Sequence, residues 1–163
     1  MADGGIFRPG MRGYIVPLVA GLVLAASVFL PWVHIEDVTI TGFPDTTALW
    51  IIGLGLVASI LALLSLITRK NSRHPLLLVG LVALGLMFLS WRLMPRAVAD
   101  RALTHSQAIA IVDDLPMLDA PAARVGIGIY LGLFASLAIA AFGLTIVMTR
   151  VVRPYVAPVD DDV

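Results

Sequence analysis

Four long runs without a charged residue constrain this chain more than anything else in it. They cover residues 14–33, 46–68, 75–91 and 125–149, and Leu93 and Met94 extend the third past Arg92. About 30 Å of hydrocarbon takes ~20 helical residues at 1.5 Å each, so runs of this length are candidates to cross a bilayer. Composition agrees: the chain is 60% hydrophobic and 13% charged, where soluble domains carry ~25% charged residues. Core helices of a soluble protein would be shorter and would show a polar face. Open strands cannot span lipid because their edge groups stay unsatisfied, and the alternating ten-residue segments of an outer-membrane barrel are missing. The expected fold class is therefore all-α: a polytopic membrane protein of four transmembrane helices at about 14–33, 46–68, 75–94 and 125–149. A tail at 1–13, a second tail at 150–163 and a long loop at 95–124 complete the organisation. The first run continues through Pro31 and Trp32, so it reads as a retained span rather than a cleaved signal peptide.

The charges orient these spans. The link 69–74 holds Arg69, Lys70 and Arg73 and no acid, whereas the link 34–45 holds Glu36, Asp37 and Asp45 and no cation. Arg8 and Arg12 lie in the first tail, Arg150 and Arg153 in the second. Cations beside spans stay cytoplasmic, so both termini are expected inside and the first and third loops outside. Trp32, Trp50 and Trp91 fall at the expected outer ends, where an indole suits the headgroup layer, and Arg92 can snorkel outward beside Trp91. In the third loop, Val98, Ala102, Ile109 and Val112 share one helical face, Thr104 to Gln107 has the form of a capping box, and Asp113-Asp114-Leu115-Pro116 is a stop. One or two short surface helices are expected there, covering the bundle's own outer end or docking on a partner.

Helices associate in lipid where small residues let backbones approach. Gly128, Gly132, Ser136 and Ala140 form a stripe at four-residue spacing on the last run, and Gly21 and Ala25 repeat the spacing on the first. These six are the expected helix-packing residues.

Chemistry is harder to place. Carriers and pumps put carboxylates, His or Arg at membrane depth, but these runs offer hydroxyls alone: Ser27, Ser59, Ser65, Ser90, Ser136 and Thr145 are among them. Each is expected to bond the carbonyl one turn back. No cysteine is present, which removes disulfides, iron–sulfur ligation and thiolate zinc sites. His34, His74 and His105 lie at boundaries or in loops, so no intrinsic haem is expected between the helices. His34, Glu36 and Asp37 are weak candidates for a metal on the outer face, where oxygen ligands with an imidazole suit zinc or a harder cation.

Three functions remain. The leading expectation is a non-catalytic structural or accessory subunit of a multi-subunit complex in a bacterial inner membrane, respiratory or photosynthetic by analogy. Its partners would be the bilayer and other membrane subunits, with no nucleic acid and no intrinsic cofactor beyond bound lipid or contact with a partner's cofactor. The alternative is binding or transport of an apolar small molecule, a lipid or quinone, between helices. The third is an outer-face metal-dependent enzyme.

Overall fold

A computed structural model describes residues 12–35, 37–68, 73–113 and 122–151. After a 3-10 turn at Arg12–Tyr14, the elements are α1 (Ile15–Ser27), β1 (Pro31–Ile35), β2 (Val38–Thr41), α2 (Thr46–Thr68), α3 (Arg73–Asp113), β3 (Ala123–Val125) and α4 (Ile127–Val151). Thr46–Thr68, His74–Val112 and Ile127–Thr145 are long and apolar enough to cross a membrane. The helices alternate in direction and form a closed ring in which α1 meets α2 and α4, and α3 meets α2 and α4.

The first expected span is shorter than its apolar run. α1 has 13 residues, which at 1.5 Å per residue is ~20 Å, about two thirds of the hydrocarbon thickness. The cause is Pro31, four residues past the end of the helix. It has no N–H to give Ser27 O and biases Leu30 toward extended backbone, which disfavours running the helix on through it. The chain turns instead, with Phe29 N–H donating to Ala26 O (3.1 Å) and Leu30 N–H to Ser27 O (3.3 Å). The rest of the run becomes β1.

β1 is the centre of a three-stranded antiparallel sheet of order β2-β1-β3. Val33, His34 and Ile35 pair with Ile40, Thr39 and Val38 on one side and with Val125, Arg124 and Ala123 on the other. The all-α expectation is amended here: the fold is mostly helical, with a small sheet over the end where α1 stops and α2 and α4 begin.

The third helix departs most from expectation. A span at 75–94 and a loop from 95 are replaced by one helix of 41 residues, ~60 Å long. Pro95 lies inside it. Its missing N–H leaves the Trp91 carbonyl without that donor, but Met94, Val98 and Ala102 pack against the hydrophobic core and hold the next turns in register. The expected capping box is consequently helix interior: Thr104 Oγ1 donates back to Asp100 O (2.8 Å) and Ser106 Oγ to Leu103 O (2.9 Å). Helical structure was expected in this segment and is present, as a continuation rather than as separate surface helices. The helix is described as far as Asp113; most of the expected stop, Asp113-Asp114-Leu115-Pro116, falls in residues 114–121, which lie outside the described ones, as do most of both tails.

Close contacts show why small residues stand where they do. A Cβ on Gly55 would lie 2.6 Å from Gly21 O and 2.9 Å from Ala25 N, so α1 and α2 touch backbone to backbone. Ser59 Oγ sits in the same crossing, 3.1 Å from Leu18 O and 3.0 Å from Gly55 O. Between α3 and α4, Gly80 meets the backbone of Ala140, Gly143 meets Leu77, and Gly132 meets Met87. This pairing sets Ile127, where α4 begins, level with the region of Arg92. The remaining ~20 residues of α3 run on for ~30 Å as an arm past the start of α4. The buried hydroxyls Ser27, Ser65, Ser90 and Ser136 each bond a carbonyl three or four residues earlier.

Two neighbouring glycines test the α1–α2 crossing. Gly55→Ala should destabilise the chain by about 1–3 kcal/mol, because backbone must move to admit the methyl. Gly53 has open space around its Cβ position, so Gly53→Ala should leave stability unchanged or raise it by up to ~1 kcal/mol. Denaturation in detergent micelles reads both.

Candidate binding cleft at the sheet-capped end

The end of α1 determines this region. A helix leaves its last carbonyls without intrahelical donors, and in an apolar setting each must find one. Here Trp32 folds back so that its indole Nε1–H donates to Ser27 O at 3.0 Å. Gly42 N–H and Phe43 N–H, from the turn after β2, both point at Val28 O (3.0 and 3.3 Å). Ser27 Oγ answers Leu24 O at 2.7 Å. Gly42 is needed because any Cβ there would enter the Trp32 ring, and Gly128 lets α4 approach the same ring. Gly126 N–H donates to Trp32 O at 2.7 Å and ties β3 to the same residue.

The hairpin so anchored stands opposite the α3 arm, and a cleft lies between them. One cavity of about 630 Å³ is lined by Ile35, by 38–45 of the hairpin and its turn, and by Met94, Val98, Arg101 and Ala102 of the arm. A second, of about 320 Å³, runs along α3 past Leu86, Leu89, Ser90, Leu93 and Ala97, with Trp32 and Thr47 opposite. Asp45, Met94, Val98 and Arg101 line both. The walls are mainly apolar, and the two opposite charges stand where the cavities adjoin. Asp45 precedes α2, and its Oδ1 accepts a hydrogen bond from Thr47 N–H at 3.0 Å, an N-cap that fixes the carboxylate. Asp45 N–H itself donates to Gly42 O at 2.9 Å, joining the cap to the turn. Neither Oδ2 of Asp45 nor the exposed guanidinium of Arg101 has a partner among the described residues.

The residues singled out from sequence are distributed differently. Trp32 is not a surface anchor: it is completely buried, because the sealing of α1 and the approach of Gly42 and Gly128 require its ring inside. Trp50 is 66% exposed. Trp91 is half-buried, its ring 5.7 Å from that of Phe88, and Arg92 is exposed. Gly128, Gly132, Ser136 and Ala140 are all buried, as is Gly21, and Ala25 packs on Gly55. The stripe on α4 is thus covered by α3, β1 and the end of α1 within the chain itself. His34 is half-buried in mid-β1 and Asp37 exposed in the hairpin turn, while Glu36 lies outside the described residues. No group of three metal-capable side chains comes together among the described residues.

Sequence reasoning missed the cleft. Its signal was the spacing of Met94, Val98 and Arg101, four and three residues apart on one helical face, visible once the helix is carried through Pro95. No family model, curated protein or solved structure matches this chain.

Trp32→Phe keeps most of the ring but removes the shorter of the two hydrogen bonds to Ser27 O, leaving the one from Leu30 N–H. It should lower stability by about 1–2 kcal/mol, while Trp50→Phe stays within ~0.5 kcal/mol. Equal values for the two would mean the indole hydrogen bond does not hold the end of α1.

Proposed function

We propose that this chain is a non-catalytic multi-pass membrane protein that holds an amphipathic small molecule in the cleft between the α3 arm and the β1–β2 hairpin. The observation carrying this reading is the cleft itself: two adjoining cavities with apolar walls along α3, and at their junction charged atoms of Arg101 and Asp45 that have no partner among the described residues. Ligand sites are concave and mostly apolar, with a few polar groups that fix orientation. The cleft lies at the end opposite the cationic 69–74 link, so the positive-inside rule puts it on the outer face of the membrane, in a bacterium the inner membrane, with both termini inside.

Two measurements test this. Mild-detergent purification followed by solvent extraction and mass spectrometry should recover about one amphiphile, a lipid or quinone, per chain. Ala97 is exposed and lines the smaller cavity, so Ala97→Trp should fill the space without entering the core and abolish that recovery. Wild type purifying empty, or Ala97→Trp retaining the molecule, would sink the proposal. For orientation, the absence of native cysteine makes any introduced thiol unique. Thr39→Cys should react with a membrane-impermeant maleimide on intact cells and Ser72→Cys should react after lysis alone; the reverse pattern overturns the topology.

A second reading, an accessory subunit of a membrane complex, draws on the arm. Ile111 and Val112 near its tip are 72% and 82% exposed, apolar surface on a part of α3 beyond the bundle. With the α4 stripe covered inside the chain, that reading depends on the arm. Native mass spectrometry of gently extracted protein separates the two: a ligand-bearing free monomer favours the cleft, and a stable complex lost in Ile111→Ser/Val112→Ser favours the subunit.

A further inference from the structure

We infer that the occupant of the cleft is a zwitterionic phospholipid, its phosphate on Arg101 and its ammonium on Asp45; this deepens the binding reading and rests on it. Three features of the site select this class. The first is charge. Among the described residues the cleft presents one cation and one anion, and both line both cavities. A guanidinium binds phosphate oxygens with paired N–H donors. The carboxylate is held by Thr47 N–H through Oδ1, leaving Oδ2 to accept from an ammonium. An anionic head would satisfy Arg101 but meet repulsion at Asp45, and a quinone or diacylglycerol would leave both charges unanswered.

The second feature is length. From Arg101 down to Leu86, the α3 wall is 15 residues long, ~22 Å of helix. Half of a bilayer including its headgroups is ~20–22 Å. The wall therefore matches one leaflet in length, with Arg101 at its outer end and Leu86 at its deep end. The third is polarity along that wall. Ser90, the hydroxyl on it, bonds Leu86 O at 2.9 Å, so the deep part offers acyl chains an apolar lining.

The test uses full-length protein, delipidated in detergent and titrated separately with phosphatidylethanolamine, phosphatidylglycerol and diacylglycerol, with bound adducts counted by native mass spectrometry. Wild type should bind phosphatidylethanolamine about 10-fold more tightly than either other lipid. Arg101→Gln should weaken phosphatidylethanolamine about 10-fold and bring it to the level of diacylglycerol. Asp45→Asn keeps an N-cap acceptor and so keeps the fold; it should remove the preference over phosphatidylglycerol. Ala97→Trp should weaken all three. If the lipids bind alike in wild type, or if Arg101→Gln and Asp45→Asn shift all three equally, headgroup reading by this pair is overturned while the apolar cleft stands. If wild type binds none of them, or Ala97→Trp binds as wild type does, the underlying cleft proposal falls as well.

Discussion

The carbonyls at the end of α1 organise the sheet-capped half of this protein. A helix of 13 residues ends with its last carbonyls open, and Ser27 and Val28 are completely buried, out of reach of water. The chain answers from a distance: the Trp32 indole bonds Ser27 O, and the backbone of the β2–α2 turn bonds Val28 O. Each donor imposes a consequence. Trp32 has to be inside, so Gly42 and Gly128 have to lack side chains. The turn has to reach Val28, so β2 has to fold back on β1, and Asp45 then arrives where it caps α2.

Close backbone contact supplies the rest of the frame. α1 crosses α2 at Gly21 and Gly55, and α3 lies along α4 through Gly80, Gly132 and Gly143. For helices in lipid, which is as apolar as their side chains, burial drives pairing weakly and fit drives it strongly. The α3–α4 pairing also sets how far α3 extends beyond its neighbours. The arm stands beside the hairpin because α3 is helical through Pro95, and the cleft is the space between two elements fixed by separate sets of contacts.

Several parts of this were legible in the amino acids. Four apolar runs could be counted directly, and three of them are helices long and apolar enough to span. The small residues of α4 and α1 were recognisable as packing positions, but spacing could not say whether their partners lay within the chain. Trp32 was misplaced because a tryptophan at the end of an apolar run looks the same whether its ring faces headgroups or folds back on a carbonyl. Pro95 resembled a boundary because a proline in mid-helix costs ~3 kcal/mol. The packing of Val98 and Ala102 that offsets this involves elements far away in sequence. The sheet was hidden in part because β1 is the tail of an uncharged run, where hydropathy does not separate strand from helix.

What the sequence determined by itself is local: which stretches are apolar enough and long enough to cross a membrane, which are interrupted by charge, and where hydroxyls can bond within their own helix. These depend on composition over one or two turns and on the cost of placing polar groups in hydrocarbon. The tertiary structure decided where α1 ends, which way Trp32 faces, how far α3 runs and that Arg101 and Asp45 share a cleft. Each of these is set by a donor, a ring or a backbone contact contributed by a different element, and such contacts exist only after the helices have packed.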